Sequence, residues 1–341
     1  MENATTFFAT LSAWLWGWPM IILLLGTHVF LTIRLRFPQR KLLTAIRLSV
    51  QRDSSQQGDV SQFGALATAL AATIGTGNII GVATAVALGG PGAVFWCWLT
   101  GVFGISTKYA EALLAIKYRV RSEGGRMQGG PMYALERGLG WRKMGVLFAV
   151  FTALAAFGIG CTVQANAIST IMHASYGIGT EVCGVVLTLL TAAVIIGGVS
   201  SISKVCSMLV PLMALLYVLG CVYILQANAS YVVPALRLIV RSAFSPEAAG
   251  GGFAGGSVIM AARYGIARGL FSNESGLGSA PIVAVFVGSV ANLAIVWNIA
   301  DCMNALMAIP NLLSLICLNG VVVHETRKYL WRDRLDREMA E

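Results

Sequence analysis

Ala71-Ala72-Thr73-Ile74-Gly75-Thr76-Gly77-Asn78-Ile79-Ile80-Gly81 sets hydroxyls, an amide and three glycines in the middle of the apolar run 63–90. Glycine tolerates φ > 0 and weakens a helix interior by roughly 0.5–1 kcal/mol relative to alanine. A helix in lipid must satisfy its own backbone, so irregular chain at membrane depth needs protein or a water-filled cavity around it. The stretch therefore predicts a helix that breaks partway across a bilayer and exposes bare amides and carbonyls. The half-helix after Asn78 would aim its N–H groups and positive end at an anion such as a carboxylate. The unwound carbonyls could meet a cation. Small residues also serve close helix packing, the reading preferred for Gly64, Gly81 and Gly101. At Gly75-Thr76-Gly77-Asn78, a hydroxyl and an amide inside an apolar span favour a site.

Working outward, the same solvent applies to the rest of the chain. Of 341 residues, 57% are hydrophobic and 11% charged, against about 25% charged in soluble domains. The mean hydropathy is +0.75. About 20 apolar residues cross a bilayer core, and runs of that kind fall at 13–33, 63–90, 91–115, 145–169, 182–199, 205–226, 250–270, 281–300 and 303–323. The reading is an all-α multi-pass membrane protein forming a single domain over 1–341.

The net charge of +9 does not point to nucleic acid, because the basic residues follow the spans. Arg34 to Arg52, Lys117 to Lys143, Lys204 and Arg327 to Arg337 fall on one face when nine runs are threaded. The positive-inside rule makes that face cytoplasmic, with the N-terminus outside and the C-terminus cytoplasmic. Arg237 and Arg241 lie in an outward connection whose helical spacing predicts an amphipathic interfacial segment. The seven cysteines sit almost wholly in apolar runs and read as small hydrophobes. The first run has no basic n-region or cleavage motif, so a retained helix is expected.

A second interruption, Gly250 to Ser257, lies near the start of the 250–270 run. Paired glycine-interrupted segments in corresponding halves are a sequence pointer to a transporter's central site, and packing remains open for this one. Gln164 and Asn166 are intramembrane polar residues, suited either to a ligand or to an interhelical hydrogen bond. Asp301 is expected to N-cap the 303–323 helix, with cation binding as the other reading. The polar stretch Gly269 to Ser279 suits a hinge, an inner gate or an ordinary turn.

A membrane-embedded enzyme would need a nucleophile with its base, or clustered metal ligands. His28, His173 and His324 are far apart, and no HExxH, GxSxG or Walker pattern occurs. No enzyme is expected. A channel is harder to set aside, since broken helices also line pores.

Several blocks resemble the alanine or glycine:cation symporter (sodium:alanine symporter) family. They are GTGNIIGVATAVALGGPGAVFWCW at 75–98, QGGPMYALERGLG at 128–140, VQANAI at 163–168, RGLFSNESGLGSAPI at 268–282 and VWNIADCMNALMAIPNLLSLICLNGVVVHET at 296–326. The resemblance implies a LeuT-like inverted-repeat helical bundle, with 63–226 as the first five-helix repeat and 250–323 as a truncated second. It implies sodium-coupled symport of alanine or glycine across the plasma membrane of a bacterial inner-membrane type, sodium being the coupling ion and no cofactor being needed. Carried over by position, Gly75, Thr76, Gly77, Asn78, Gln164, Gly255, Gly256 and Ser257 would bind the substrate. Thr73, Thr76 and Asn78 would meet sodium. Family members have about two further spans between SAPI and VFVGS, whereas Ile282 here runs almost directly into Val285. The resemblance thus implies an internally shortened transporter lacking core helices seven and eight, with impaired transport, an inactive remnant or a channel-like protein as alternatives.

Overall fold

A proline fits the first turn of a helix, where its missing N–H has no acceptor to lose. Pro19 does this after a short break. Helix α1 (Glu2–Leu15) stops, Gly17 takes an extended N-cap conformation, and α2 (Trp18–Arg34) departs at 48° to α1. The expected single run 13–33 is therefore shared by two helices meeting at an angle.

The computed structural model describes residues 2–50, 60–75, 77–121, 127–158, 162–244, 258–273, 289 and 293–331. After α2 come a 3-10 turn (Pro38–Lys41), α3 (Leu42–Val50), α4 (Gln62–Thr73), a π turn (Gly77–Gly81), α5 (Val82–Gly89) and α6 (Gly92–Lys117). A two-residue antiparallel ladder pairs β1 (Val120–Arg121) with β2 (Met127–Gln128), Val120 opposite Gln128. Then follow α7 (Pro131–Tyr133), a π turn (Ala134–Gly138), α8 (Arg142–Gly158), α9 (Thr162–Tyr176), α10 (Thr180–Ile195) and α11 (Gly198–Ala227). The chain continues with α12 (Ala229–Phe244), α13 (Val258–Asn273), α14 (Leu293–Cys317) and α15 (Asn319–Tyr329). Among the described residues the fold is all-α apart from the small ladder.

Among the described residues, one continuous helix, α11, is long and apolar enough to cross a membrane. Two bent pairs pass the same test together: Thr6–Leu15 with α2, and Asp301–Cys317 with α15 at 61°. Of the other runs, 91–115 forms the single helix α6, whereas 63–90 is divided between α4 and α5. The run 145–169 is divided between α8 and α9, so Gln164 lies near the start of α9 rather than at the end of a long span. The segment 227–249 contains the helix α12, with Arg237 and Arg241 on it.

Asp301 is not an N-cap. Helix α14 begins at Leu293, so Asp301 is an interior residue of it. The apolar residues before it, Leu293 to Ile299, extend the helix upstream of the expected start at 303.

The main core gathers Met20, Leu24 and Leu31 of α2, Ala110 and Leu114 of α6, Ile266 of α13, and Ala305, Leu312 and Leu315 of α14. Glycine allows the closest approach between these helices. A Cβ at Gly265 of α13 would collide with the Ala93 carbonyl of α6, and one at Gly92 would come 2.5 Å from the Ser242 carbonyl of α12. Gly64 of α4 likewise lies against the Ser203 hydroxyl of α11, in keeping with the packing expected of it. Gly101 differs, because a Cβ there would meet nothing within 4 Å.

Polar pairs also cross the apolar contact between α2 and α6. His28 Nδ1 lies 2.7 Å from the Thr107 hydroxyl, and Thr32 donates to Ser106 at 2.8 Å. At the other extreme, no residue of α11 from Pro211 to Ala227 is buried.

Candidate functional site

The break foreseen at 74–79 is present. Ser61 caps α4, its hydroxyl accepting the Gly64 N–H at 3.0 Å. The last α4 turn closes with the Ile74 N–H on the Leu70 carbonyl at 2.7 Å, and Ile74 then leaves helical geometry at φ −91°, ψ 89°. The chain turns at once, the Asn78 N–H returning to the Gly75 carbonyl at 3.1 Å. The π turn Gly77–Gly81 leads into α5. Thr76 lies outside the described residues.

Asn78 has a local task that the sequence does not disclose. Its Nδ2 donates to the Thr73 carbonyl at 2.5 Å, capping the end of α4 from across the break. The Thr73 hydroxyl donates to the Ala69 carbonyl at 3.0 Å. The Thr73 carbonyl, which an unwound segment would leave bare, is therefore already hydrogen-bonded. A carbonyl has two lone pairs and a hydroxyl oxygen keeps acceptor capacity while donating, so both Thr73 oxygens retain room for a cation.

Gln164 comes to this break from α9. A Cβ placed on Gly75 would stand 3.2 Å from its Nε2 and 3.5 Å from its Oε1. The side-chain amide thus lies against the open backbone of Gly75. Two predicted site residues separated widely in sequence are brought together here. Just below Gln164 on α9, Asn166 is buried at 2% exposure, and the Ser169 hydroxyl donates to the Ser289 carbonyl at 2.8 Å. Ser169 was not among the predicted site residues, since one serine in an apolar helix is unremarkable in sequence.

The π turn and α5 pack against α13, and α4 packs against α11 and α13. The break therefore has α13 on one side and, through Gln164, α9 beside it. Gly255, Gly256 and Ser257 precede α13 and lie outside the described residues, as do 274–279 of the expected hinge. Thr73, Gly75, Gly77, Asn78 and Gln164 supply hydroxyl, carbonyl, amide and N–H groups without an ionised side chain. Such oxygen donors suit a hard cation, and the amide donors suit a carboxylate.

Sequence reasoning missed one buried ion pair. Arg268 of α13 and Asp301 of α14 are joined by two hydrogen bonds of 2.8 and 2.9 Å. A basic residue inside the 250–270 run and an acidic one between the runs 281–300 and 303–323 were the available signal.

A sequence model of the sodium:alanine symporter family matches residues 1–285 and 282–340. An uncharacterized transporter of Haemophilus influenzae is 52% identical over 278 residues, covering 81% of this chain and 61% of that protein. The sodium/alanine symporter AgcS of Methanococcus maripaludis is 39% identical over 438 aligned positions, covering 94% of this chain and 96% of AgcS. That alignment is longer than the 341-residue chain, so part of AgcS faces a gap here. The probable sodium/glutamine symporter GlnT of Bacillus subtilis is 37% identical over 273 residues, 79% of this chain and 56% of GlnT. The chain spans about three-fifths of the length of the Haemophilus relative, at 61%. With a family match running along both its parts, this multi-pass plasma-membrane chain belongs to the sodium:alanine symporter family, a family of transporters and not of enzymes.

Proposed function

We propose that the chain binds a small neutral amino acid, alanine or glycine, together with sodium at the break between α4 and α5, and carries both across the membrane. The observation that bears the most weight is the approach of the Gln164 amide to the open backbone at Gly75. Neutral polar groups suit this cargo. A zwitterion arriving with Na⁺ brings one net positive charge, which is best accommodated when the ion sits beside the carboxylate. The backbone N–H of Gly77 and the Gln164 amide would hold the carboxylate. Thr73 oxygens, Thr76 and Asn78 would share the ion, and Gly255 to Ser257 would face the substrate from the other side.

A LeuT-like inverted-repeat arrangement, with 63–226 and a shortened 250–323 as its halves, is supported by the contacts of the broken helix with α13. The basic loops favour a cytoplasmic C-terminus and an external N-terminus. The name of AgcS favours alanine, while that of GlnT leaves a larger side chain in view.

The shortening has its own consequence. The two matched family segments meet at 282–285, and α11 is uncovered from Pro211 onward. We infer that binding survives the shortening better than transport does. Purified protein should bind labelled alanine in sodium and much less in potassium. Proteoliposomes with an inward sodium gradient should take it up slowly, and faster once the missing segment is restored from a full-length relative. Sodium-independent binding would refute the site, and full-rate uptake by the short chain would refute the impairment.

A further inference from the structure

At one end of the molecule, the C-terminal ends of α2 and α15 meet on a single indole ring. Trp331 follows α15, and its Nε1–H donates to the Leu35 carbonyl at the end of α2, 3.4 Å away. Its backbone N–H returns to the Thr326 carbonyl at 3.2 Å. The ring is thereby held from both sides of the helix pair. The Arg36 guanidinium stands 4.4 Å from the ring centroid and that of Arg327 stands 5.9 Å from it. Arg36 belongs to the turn that ends α2, where Arg36 and Phe37 both adopt φ 59° and their N–H groups return to Ile33 and Thr32.

Neither guanidinium pairs with a carboxylate among the described residues, where the nearby Glu325 is taken by Lys117. Nearby, Arg40 lies over Phe37 at 5.4 Å and Lys328 over Tyr329 at 5.2 Å. Stacking on an aromatic face orients a cation without neutralising it. Two like charges gathered on one ring therefore leave a place that an anion would complete. A planar guanidinium fork matches phosphate oxygens in bidentate fashion. Tryptophan and basic residues at the ends of apolar helices occupy the headgroup layer of a bilayer.

We propose that Arg36 and Arg327, oriented by Trp331, bind the phosphate of an anionic phospholipid headgroup. The lipid source is favoured over free phosphate by the exposed apolar surface leading to Arg36. Val29 and Ile33 of α2, 37% and 64% exposed and one turn apart on one face of the helix, run toward the end that carries Arg36 and provide a track for an acyl chain. Phosphate headgroups occur in both leaflets, so the site does not depend on which way the chain is threaded.

The test uses the full chain in detergent, with phosphatidylglycerol, phosphatidylcholine or inorganic phosphate added. Native mass spectrometry counts retained lipid, and thermal unfolding reads the stabilisation. Phosphatidylglycerol should be retained and raise the melting temperature, phosphatidylcholine much less, and inorganic phosphate not at all. R36Q/R327Q should lower phosphatidylglycerol retention by more than about tenfold. R36K/R327K, which keeps the charge but not the fork, should retain an intermediate amount, and R142Q should match the parent chain. If R36Q/R327Q is poorly folded, the contrast between R36K/R327K and R142Q decides. Unchanged phosphatidylglycerol preference in both double variants overturns the site, and an equal shift from inorganic phosphate overturns its assignment to lipid.

Discussion

Arg268 and Asp301 face each other across α13 and α14 through a bidentate pair, Nη1 to Oδ1 at 2.8 Å and Nη2 to Oδ2 at 2.9 Å. Their side chains are only 4% and 9% exposed, and the Asp301 carbonyl also accepts the Trp16 indole N–H at 3.0 Å. The two helices flank residues 282–285, where the matched family segments meet. The pair thus joins the chain on either side of that point and ties both helices to the end of α1. A buried charge left without its partner costs about 3–5 kcal/mol, whereas replacing both partners by apolar residues is often neutral. Arg268→Met and Asp301→Asn should each cause a large loss of thermal stability in detergent, read by fluorescence-detected size exclusion after heating. The double change R268M/D301L should recover most of it. Equal loss in the single and double variants would argue against an ion-pair origin.

The approach of Gln164 to Gly75 predicts that space at this point matters more for ligand than for fold. Gly75→Ala puts a methyl 3.2 Å from the Gln164 Nε2, so the flexible amide must give way by a few tenths of an ångström. Gln164→Ala removes the amide altogether. One hydrogen bond contributes about 1 kcal/mol net, equivalent to a several-fold change in affinity. Both variants should weaken sodium-dependent alanine binding by roughly that factor, with the melting temperature little changed. Loss of folding together with binding would make Gln164 a packing residue.

Asn78 offers a separate test, because its amide closes the break instead of lying idle in it. Asn78→Ala deletes the 2.5 Å bond to the Thr73 carbonyl and should cost about 1 kcal/mol. Asn78→Asp keeps the shape but turns an oxygen toward another oxygen, so it should destabilise the break further. Titrating sodium at fixed alanine should give a weaker apparent sodium affinity in both variants, and more so in Asn78→Asp. If the carboxylate instead tightens sodium binding, the contact of Asn78 with the ion outweighs its bond to Thr73.

The break itself was legible because glycine and buried polarity are local signals. Gly75, Gly77 and Asn78 announce an irregular backbone whatever surrounds them. The partner of that backbone was only half legible. Gln164 stands out as an amide in an apolar run, yet nothing local says that it meets Gly75 rather than another helix. Asp301 shows the opposite failure. Its place just before the 303–323 run suggested a helix start, but the tertiary contact with Arg268 allows a carboxylate to sit inside α14. The bend at Gly17 escaped notice because a run of apolar residues reads the same whether its helix is straight or broken. Pro19 was the clue. Gly101 and Gly265 are alike in sequence, and the surroundings that separate them belong to other helices.

Those two glycines make the last prediction. Gly265 lets α13 rest on the backbone of α6, and a methyl there would meet the Ala93 carbonyl and the Trp96 Cβ. Backbone cannot rotate away as a side chain can, so the helices would have to separate. Gly265→Ala should destabilise by about 1–3 kcal/mol, the usual range for overpacking. Because α13 also packs on α5 and the π turn, the displacement would reach the break and weaken ligand binding as well. Gly101 lies on the same helix α6, with open space where its Cβ would be. Gly101→Ala should leave binding intact and, by raising helix propensity, stabilise by up to about 1 kcal/mol. Melting curves and sodium-dependent alanine binding, measured together on both variants, separate close packing from mere glycine content. Similar losses in the two would show that these glycines share a role that their surroundings do not reveal.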